Sequence, residues 1–325
     1  MPDVTLNDIE QTTKTALLRH GAADWVAIEV AKAVRKAEAI GNRICGLYYL
    51  ESYCQQLRSG RVQGFAEPVV SRPKPGVVAV DAKFGFAQAA FARGLDEAVT
   101  TAHELGVASL AVSHAHTCTS LGYFTEQIAL KGLIGIGFTN ASPIVAPPGG
   151  KSRIIGTNPI AFSVPDGAGG LAMQFDQSTT TVALGKITMA KADGRRIPEG
   201  WAVDANGRPT TDPAEALNGS LVSVGGYKGW GFGLMAELLA SGMTGSALSR
   251  DVQPLKAPTG RPHDIGQYYL MIDHSGSPEF LDRLLSLKEL VASDPGTRMP
   301  GQMQSESDPV HVETSTWQLA QALAE

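Results

Sequence analysis

Apolar residues recur along this chain at two different periods, and the change of period divides it. Up to about Arg58 they return every three to four positions. Thr5 or Asn7 offers an N-cap for a helix to about Arg19, broken at His20-Gly21. Ala27, Val30, Ala31, Val34 and Ala37 keep helical spacing in a second helix that stops near Gly41. A third is predicted from Leu47 to Arg58, with Tyr49 and Tyr53 on one face and Cys45 just ahead of it. The tyrosines either pack on a neighbouring helix or line a substrate pocket. A Pro/Gly-rich shift over 64–76 then marks a boundary. Beyond it the apolar positions come as short runs that read as strands: 77–81, 107–112, 133–138, the run after Pro159, 171–176 and 268–272. Helical segments, 85–104 and 122–131, separate the first three. Strand–helix–strand alternation of this kind is an α/β pattern. The turn-rich stretch 192–213 reads as a surface excursion. Helices are expected from about Gly225 to Leu239, from Pro278 to Ala292 and from Ser315 to Ala324, the last after a polar, irregular segment.

The stretch from Val112 to Pro165 gathers the specific chemistry. One strand opens onto His114 and His116 beside Thr117, Cys118, Thr119 and Ser120. The next opens onto Thr139-Asn140-Ala141-Ser142 and a loop dense in proline and glycine. Polar side chains at strand ends, on loops of fixed shape, are how α/β enzymes present a site. Histidine exchanges protons near neutral pH, so both are candidates for proton transfer to a carbonyl or from a hydroxyl. If the strand continues, their i, i+2 spacing puts them on one face. Two such histidines without a nearby carboxylate make a poor metal site, and no metal is expected. The glycine-spaced run Gly225 to Gly231, with Lys228 in its first turn, suits either a phosphate at a helix N-terminus or tight helix packing.

Composition narrows the class. Of 325 residues 43% are apolar and 18% charged, which is ordinary for a globular protein, and 36 Gly and 19 Pro point to many tight turns. A net charge of −5 without a basic block argues against nucleic acid. No apolar run approaches the ~20 residues of a membrane span. The polar, acidic start reads as neither a signal nor a transit peptide. Three cysteines, Cys45, Cys54 and Cys118, without CxxC spacing fit a reducing cytoplasm. Neither G-x-G-x-x-G after a strand, a P-loop nor G-x-S-x-G is present.

TNASPIVAPPGG, GTNPIAF, WAVDANGRPTTDP and GGYKGWGFGLMAELLASGMTG together resemble the malate/L-lactate dehydrogenase family of the second type. This family includes sulfolactate and ureidoglycolate dehydrogenases and cyclic imino-acid reductases, and the likeness runs over nearly the whole chain. The resemblance implies an α/β fold with a non-Rossmann, mixed-sheet NAD(P)-binding domain and a helical domain made by both termini. The parts would be 1–66, 67–275 and a segment 276–325 that packs back on the helices. It implies a homodimer and hydride transfer between NAD or NADP and a small 2-oxo or 2-hydroxy acid, of the sulfolactate or malate kind first and a cyclic imino acid second; NADPH is favoured over NADH. Cofactor contacts would fall on Thr139, Asn140 and Ala141, on Asp176, Gln177 and Ser178, on Tyr227 and Lys228, and on Gly301 and Gln302. The family's Ser-His-Gly stands here as Ile44-Cys45-Gly46, Tyr49 replaces its carboxylate-binding Arg, and its second His falls on Thr117 with His116 one place earlier. The expectation is therefore a rebuilt site, with His116, helped by His114, or else Cys45 as proton donor, and Tyr49, Tyr53 and Thr117 facing substrate. A member that binds NAD(P)H without turnover is the competing class.

Overall fold

The structure, a computed structural model, describes residues 1–302 and 306–325. A two-residue strand, β1 (Asp3–Val4), precedes helix α1 (Leu6–Arg19). Thr5 caps α1 as its type predicts, its hydroxyl accepting the Asp8 N–H at 3.1 Å. Leu6, Ile9, Ala16 and Leu17 bury one stripe of α1 against α2 (Asp24–Ala39). Two single 3₁₀ turns (Arg43–Cys45 and Leu47–Tyr49) intervene before α3 (Leu50–Ser59), so the third helix proper starts after Tyr49.

Then come β2 (Val69–Lys74), β3 (Val77–Asp81), α4 (Ala87–Leu105), β4 (Val107–Ala115), α5 (Gly122–Leu130), β5 (Ile134–Thr139), β6 (Ile160–Pro165) and β7 (Leu171–Gln177). A small unit follows: α6 (Leu184–Ala192), β8 (Ala202–Val203), β9 (Pro209–Thr210), α7 (Pro213–Asn218) and β10 (Ser220–Leu221). The chain ends with α8 (Tyr227–Glu237), β11 (Ile265–Ile272), α9 (Phe280–Ala292), β12 (Val310–His311) and α10 (Thr314–Ala324).

The main sheet has seven strands in the order β2-β3-β4-β11-β5-β6-β7. Only β3 and β4 pair in parallel, through the α4 crossover; every other pair is antiparallel. The sheet is thus mixed, as the family resemblance implied. β2 lies where only a boundary was expected; its Pro73 is tolerated because β2 is an edge strand. β11 enters from late in the sequence and separates β4 from β5, which is why it is buried along most of its length.

Three apolar cores result. The first joins α1, α2 and α3 to Val310, Val312 and Ala320 from the other end of the chain, sealed by β1 pairing with β12. The second lies between the sheet and α4 and α5. The third, under α8, contains Ile197 and Ala202, so the stretch expected as a surface excursion folds partly inward. The segment 276–325 divides: α10 joins the helical core, whereas α9 buries none of its side chains and sets Leu281 against the β6–β7 turn at Gly167. No helix among the described residues is long and apolar enough to cross a membrane.

Candidate active site

Glu38, buried at the end of α2, organises the segment that carries Cys45 and Tyr49. Its carboxylate accepts the Leu47 N–H at 2.8 Å. A Cβ on Gly46 would stand 2.2 Å from that carboxylate oxygen, so only glycine lets the two turns approach α2. Burial holds the Glu38 pKa above the ordinary carboxylate value. Tyr49 is presented from these turns and stacks toward Tyr53 with ring centroids 5.8 Å apart.

Opposite, Asp176 is the last residue but one of β7. One carboxylate oxygen accepts the Gly122 N–H at 2.8 Å and the Ser120 hydroxyl at 3.3 Å. The start of α5 thereby clamps the acid, with the positive end of the helix toward it. Burial nevertheless raises the Asp176 pKa above its ordinary value, the hydrogen bonds opposing that shift. Burial, then the charge of Asp176, pushes the Cys45 thiol up to about 12. Burial does the same for Tyr49, also to about 12, with Cys45 and Cys118 adding to it. Cys118 is pushed up as well, first by burial and then by Asp176. Cys45, Tyr49 and Cys118 are therefore neutral near neutral pH, and they surround an acid, Asp176, that burial makes harder to ionise than an ordinary carboxyl.

Asp176 closes one end of a groove. A recess between α2, α5 and β7 is lined by Asn42, Ser120, Gln174 and Asp176. It shares Lys36, Ile40, Glu126 and Gln174 with a cleft of about 360 Å³ that reaches Gly301 and Gln302. The Pro300 carbonyl accepts the Gln174 N–H at 3.1 Å, fixing that turn along β7. On the other side, the chain runs on from β7 to Thr179, whose carbonyl accepts the Val224 N–H at 3.0 Å. Asp176, Gln177 and Ser178 are thus linked through the backbone to the start of α8. There Gly225 and Gly226 have φ of 60° and 62°, and no side chain caps the helix. Free N–H groups, with Lys228 exposed beside them and in no ion pair among the described residues, suit a pyrophosphate. The donor set along this path, peptide groups, small hydroxyls and one lysine, fits a nicotinamide dinucleotide.

Other expected residues fall elsewhere. His114 is in the left-handed region at φ 50°, its N–H donating to the Ser246 hydroxyl and its Nδ1 lying 2.7 Å from Asp264. His116 is 2% exposed, stacked on His263 at 3.9 Å and packed against Tyr53 and Phe86. Its Nε2 lies 2.5 Å from Gln56 Oε1. The Gln56 amide nitrogen donates to Leu255 and Ala257, so its oxygen faces the ring and Nε2 carries the hydrogen, a tautomer assigned from the network. His116 borders neither the recess nor the cleft, which departs from the expectation that it meets substrate. The kink at His114 sends the two rings to different partners, so they form no joint site. Tyr53 is fully buried and Thr117 nearly so, its N–H held by His263 Nδ1 at 3.2 Å.

Thr139 and Asn140 are committed inside the protein. Thr139 donates to the Gly266 carbonyl at 2.9 Å; Asn140 donates to Ala247 at 2.8 Å and accepts from Gly266 at 3.2 Å. They staple β5 to β11, and Ala141 packs against Gly156. Among the described residues no three His, Cys, Asp or Glu side chains gather as a metal site.

Sequence reading overlooked Glu38 and the clamp from Ser120 and Gly122. A buried Glu in an apolar helix face was a visible signal; the clamp was not, because it joins α5 to β7 only in three dimensions.

The sequence profile of the malate/L-lactate dehydrogenase family matches residues 4–309. The chain is 38% identical over 299 residues to a (2R)-3-sulfolactate dehydrogenase (NADP(+)) of Chromohalobacter salexigens, covering 92% of this chain and 89% of that protein. It is 35% identical over 304 residues to a Δ1-pyrroline-2-carboxylate reductase of Ancylobacter novellus, covering 92% and 89%. Its fold superimposes on the crystal structure of Δ1-piperideine-2-carboxylate reductase from Pseudomonas syringae pv. tomato with a TM-score of 0.91 at 30% identity, over 99% of this chain and 100% of that one. With the mixed sheet, the helical unit made by both termini and this match over nearly its whole length, the chain belongs to the malate/L-lactate dehydrogenase family.

Proposed function

We propose that the protein is an NAD(P)-dependent oxidoreductase that moves a hydride between nicotinamide and a small 2-oxo or 2-hydroxy acid of the sulfolactate or malate kind. The observation that carries this reading is the groove itself: it runs from the Gly301 turn to Asp176, an acid held by a peptide N–H among protonated thiols and phenols. A nicotinamide held along this groove would supply or accept the hydride at the substrate carbon. The chain's own residues do the rest. Asp176, with its pKa raised, delivers the proton that the carbonyl oxygen takes up as the C=O bond is reduced, and receives it back in the reverse direction. Ser120 and the Gly122 N–H orient that carboxyl and stabilise the carboxylate left behind. Cys45, Cys118 and Tyr49, all held neutral, leave Asp176 the one group of the cluster that exchanges a proton. This assignment replaces His116 as donor, because the His116 ring is sealed behind Tyr53.

Two similar proteins named for cyclic imino-acid reduction support a second substrate class, Δ1-pyrroline- or Δ1-piperideine-2-carboxylate, on the same groove. NADP is favoured over NAD by the cofactor in the name of the Chromohalobacter relative. Self-association into a homodimer is supported by apolar side chains left exposed on and after α8, among them Phe232, Leu238 and Met243. A cytoplasmic setting is supported by three free thiols.

The test is loss of nicotinamide absorbance on mixing protein with NADPH or NADH and a panel of 2-oxo and cyclic imino acids. Turnover is expected with at least one. Asp176→Asn should lower kcat by about 10²- to 10⁴-fold, whereas His116→Gln and Cys45→Ser should retain most of it. Cofactor binding without turnover across the panel would replace the enzyme reading by a binding role. Loss in His116→Gln, folded and with Asp176→Asn active, would return the proton to His116.

A further inference from the structure

A small acid brings a carboxylate to a site where Asp176 and the neutral Cys45, Tyr49 and Cys118 offer it no positive charge, so a cation beside that cluster is needed to balance it. Arg43, two residues before Cys45, sets its charge toward the buried Glu38 carboxylate, which leaves three candidates around the cluster. Lys36 is already neutralised, 2.5 Å from Glu126 and 2.7 Å from Glu306. Arg61 is 1% exposed and spends its Nε and Nη1 on the carbonyls of Arg261 and Ala257. Lys256 differs from both. Its ammonium stands 3.5 Å from the centre of the Tyr48 ring and 5.2 Å from that of Tyr49, and it pairs with no carboxylate among the described residues.

The loop that carries Lys256 is held in place by α3 and the turn after it. The Gln56 amide donates to the carbonyls on both sides of the lysine, Leu255 at 2.8 Å and Ala257 at 2.9 Å. Ser59 donates to Pro258 at 2.6 Å, and Arg61 reaches Ala257 and Arg261. With the backbone fixed, only the side-chain stem is free to move. The rings beneath the ammonium attract it through their negative faces without cancelling its charge. Tyr49 remains a neutral phenol, its pKa pushed up to about 12, and borders Cys45 and Cys118. The cation therefore lies against Tyr49, a member of the cluster, outside the lining of the recess and the cleft and with no carboxylate partner among the described residues.

We infer that Lys256 is the carboxylate-binding cation of this site, held over the Tyr48–Tyr49 pair, and that it sets the preference for anionic substrates. The inference rests on the oxidoreductase reading above. An exposed ammonium has the three donors to grip a carboxylate, and a tethered loop removes much of the ordering cost of doing so.

The experiment compares wild type, Lys256→Gln and Lys256→Arg, using the best acid of the panel and its methyl ester. For Lys256→Gln the KM for the acid should rise about 10- to 100-fold, the size of one charge-assisted hydrogen bond lost. Its kcat, the KM for the nicotinamide, the KM for the ester and the melting midpoint should change little. Lys256→Arg should restore most of the acid KM. An unchanged acid KM, or an equal shift for acid and ester, overturns the role of Lys256. If wild type reduces nothing in the panel, the oxidoreductase reading fails; calorimetric titration of each acid then decides Lys256 separately. Binding lost in Lys256→Gln upholds it, and equal or absent binding in both proteins overturns it.

Discussion

At the scale of single residues, this site departs most from expectation in what its titratable groups can do. Cys45 occupies a position where the family resemblance implied an imidazole, yet burial and Asp176 hold its pKa near 12. At pH 7.5 a thiol of pKa about 8.5 is about one tenth thiolate, whereas Cys45 is ionised to about one part in 10⁴–10⁵. Alkylation of Cys45 by iodoacetamide, followed by peptide mass spectrometry, should therefore run at least about a thousand times slower than alkylation of a free model thiol. A rate near that of the model thiol would contradict the geometry around Asp176. The sequence named Cys45 and Asp176 but could not pair them, since nothing local tells that β7 ends beside the turn after α2. It named His116 for its chemistry, but a strand-end histidine looks the same whether its ring meets a groove or, as here, Gln56 and His263.

At the scale of elements, helix α8 shows how the two readings of a glycine run divide by position. A Cβ on Gly229 would stand 2.1 Å from the Val224 carbonyl, so this glycine serves close packing of the helix on the preceding turn. Gly231 has nothing within 4 Å of the same point. Gly229→Ala should therefore destabilise the protein by about 1–3 kcal/mol through overpacking, and Gly231→Ala should stabilise it by up to about 1 kcal/mol through helix propensity. Urea unfolding midpoints of the two variants check the pair; equal effects would mean that α8 is seated differently. Gly225 and Gly226 serve neither purpose, their positive φ shaping the uncapped start of the helix. The pattern of periods located most helices and strands to within a few residues, because each buries a face whose spacing is written locally. It overlooked β2 and the short β8 and β9, which are too brief or too exposed to print a period.

At the scale of the whole molecule, the buried pair His116 and His263 ties stability to pH. Burial, and for both the charge of Arg61, depress their values, His116 well below the ordinary 6.5 and His263 to about 3. Above pH 6.5 both rings are neutral whether the chain is folded or not, and they leave stability unchanged. As pH falls from 6.5 toward 3, the unfolded chain takes up protons that the folded one refuses, so stability is lost over that window. The His263 ring should cost about 2 kcal/mol between pH 7 and 5, and His116 adds a loss of the same sign. Asp176 and Glu38, raised above their ordinary values, oppose this in acid, so the informative quantity is a difference. The loss between pH 7 and 5 in urea unfolding should be smaller in His263→Gln than in wild type by about 2 kcal/mol; an identical loss would mean that His263 is already charged in the fold. What the sequence determined by itself was the succession of elements, the family and the kind of chemistry, because periodicity, caps and long motifs are properties of neighbouring residues. What only the tertiary structure decided was which groups share a space: Asp176 with Cys45 and Gly122, His116 with His263, Lys256 with Tyr48 and Tyr49. Those contacts form when β11 inserts between β4 and β5 and the 255–261 loop is drawn onto α3, and distance along the chain carries no information about either event.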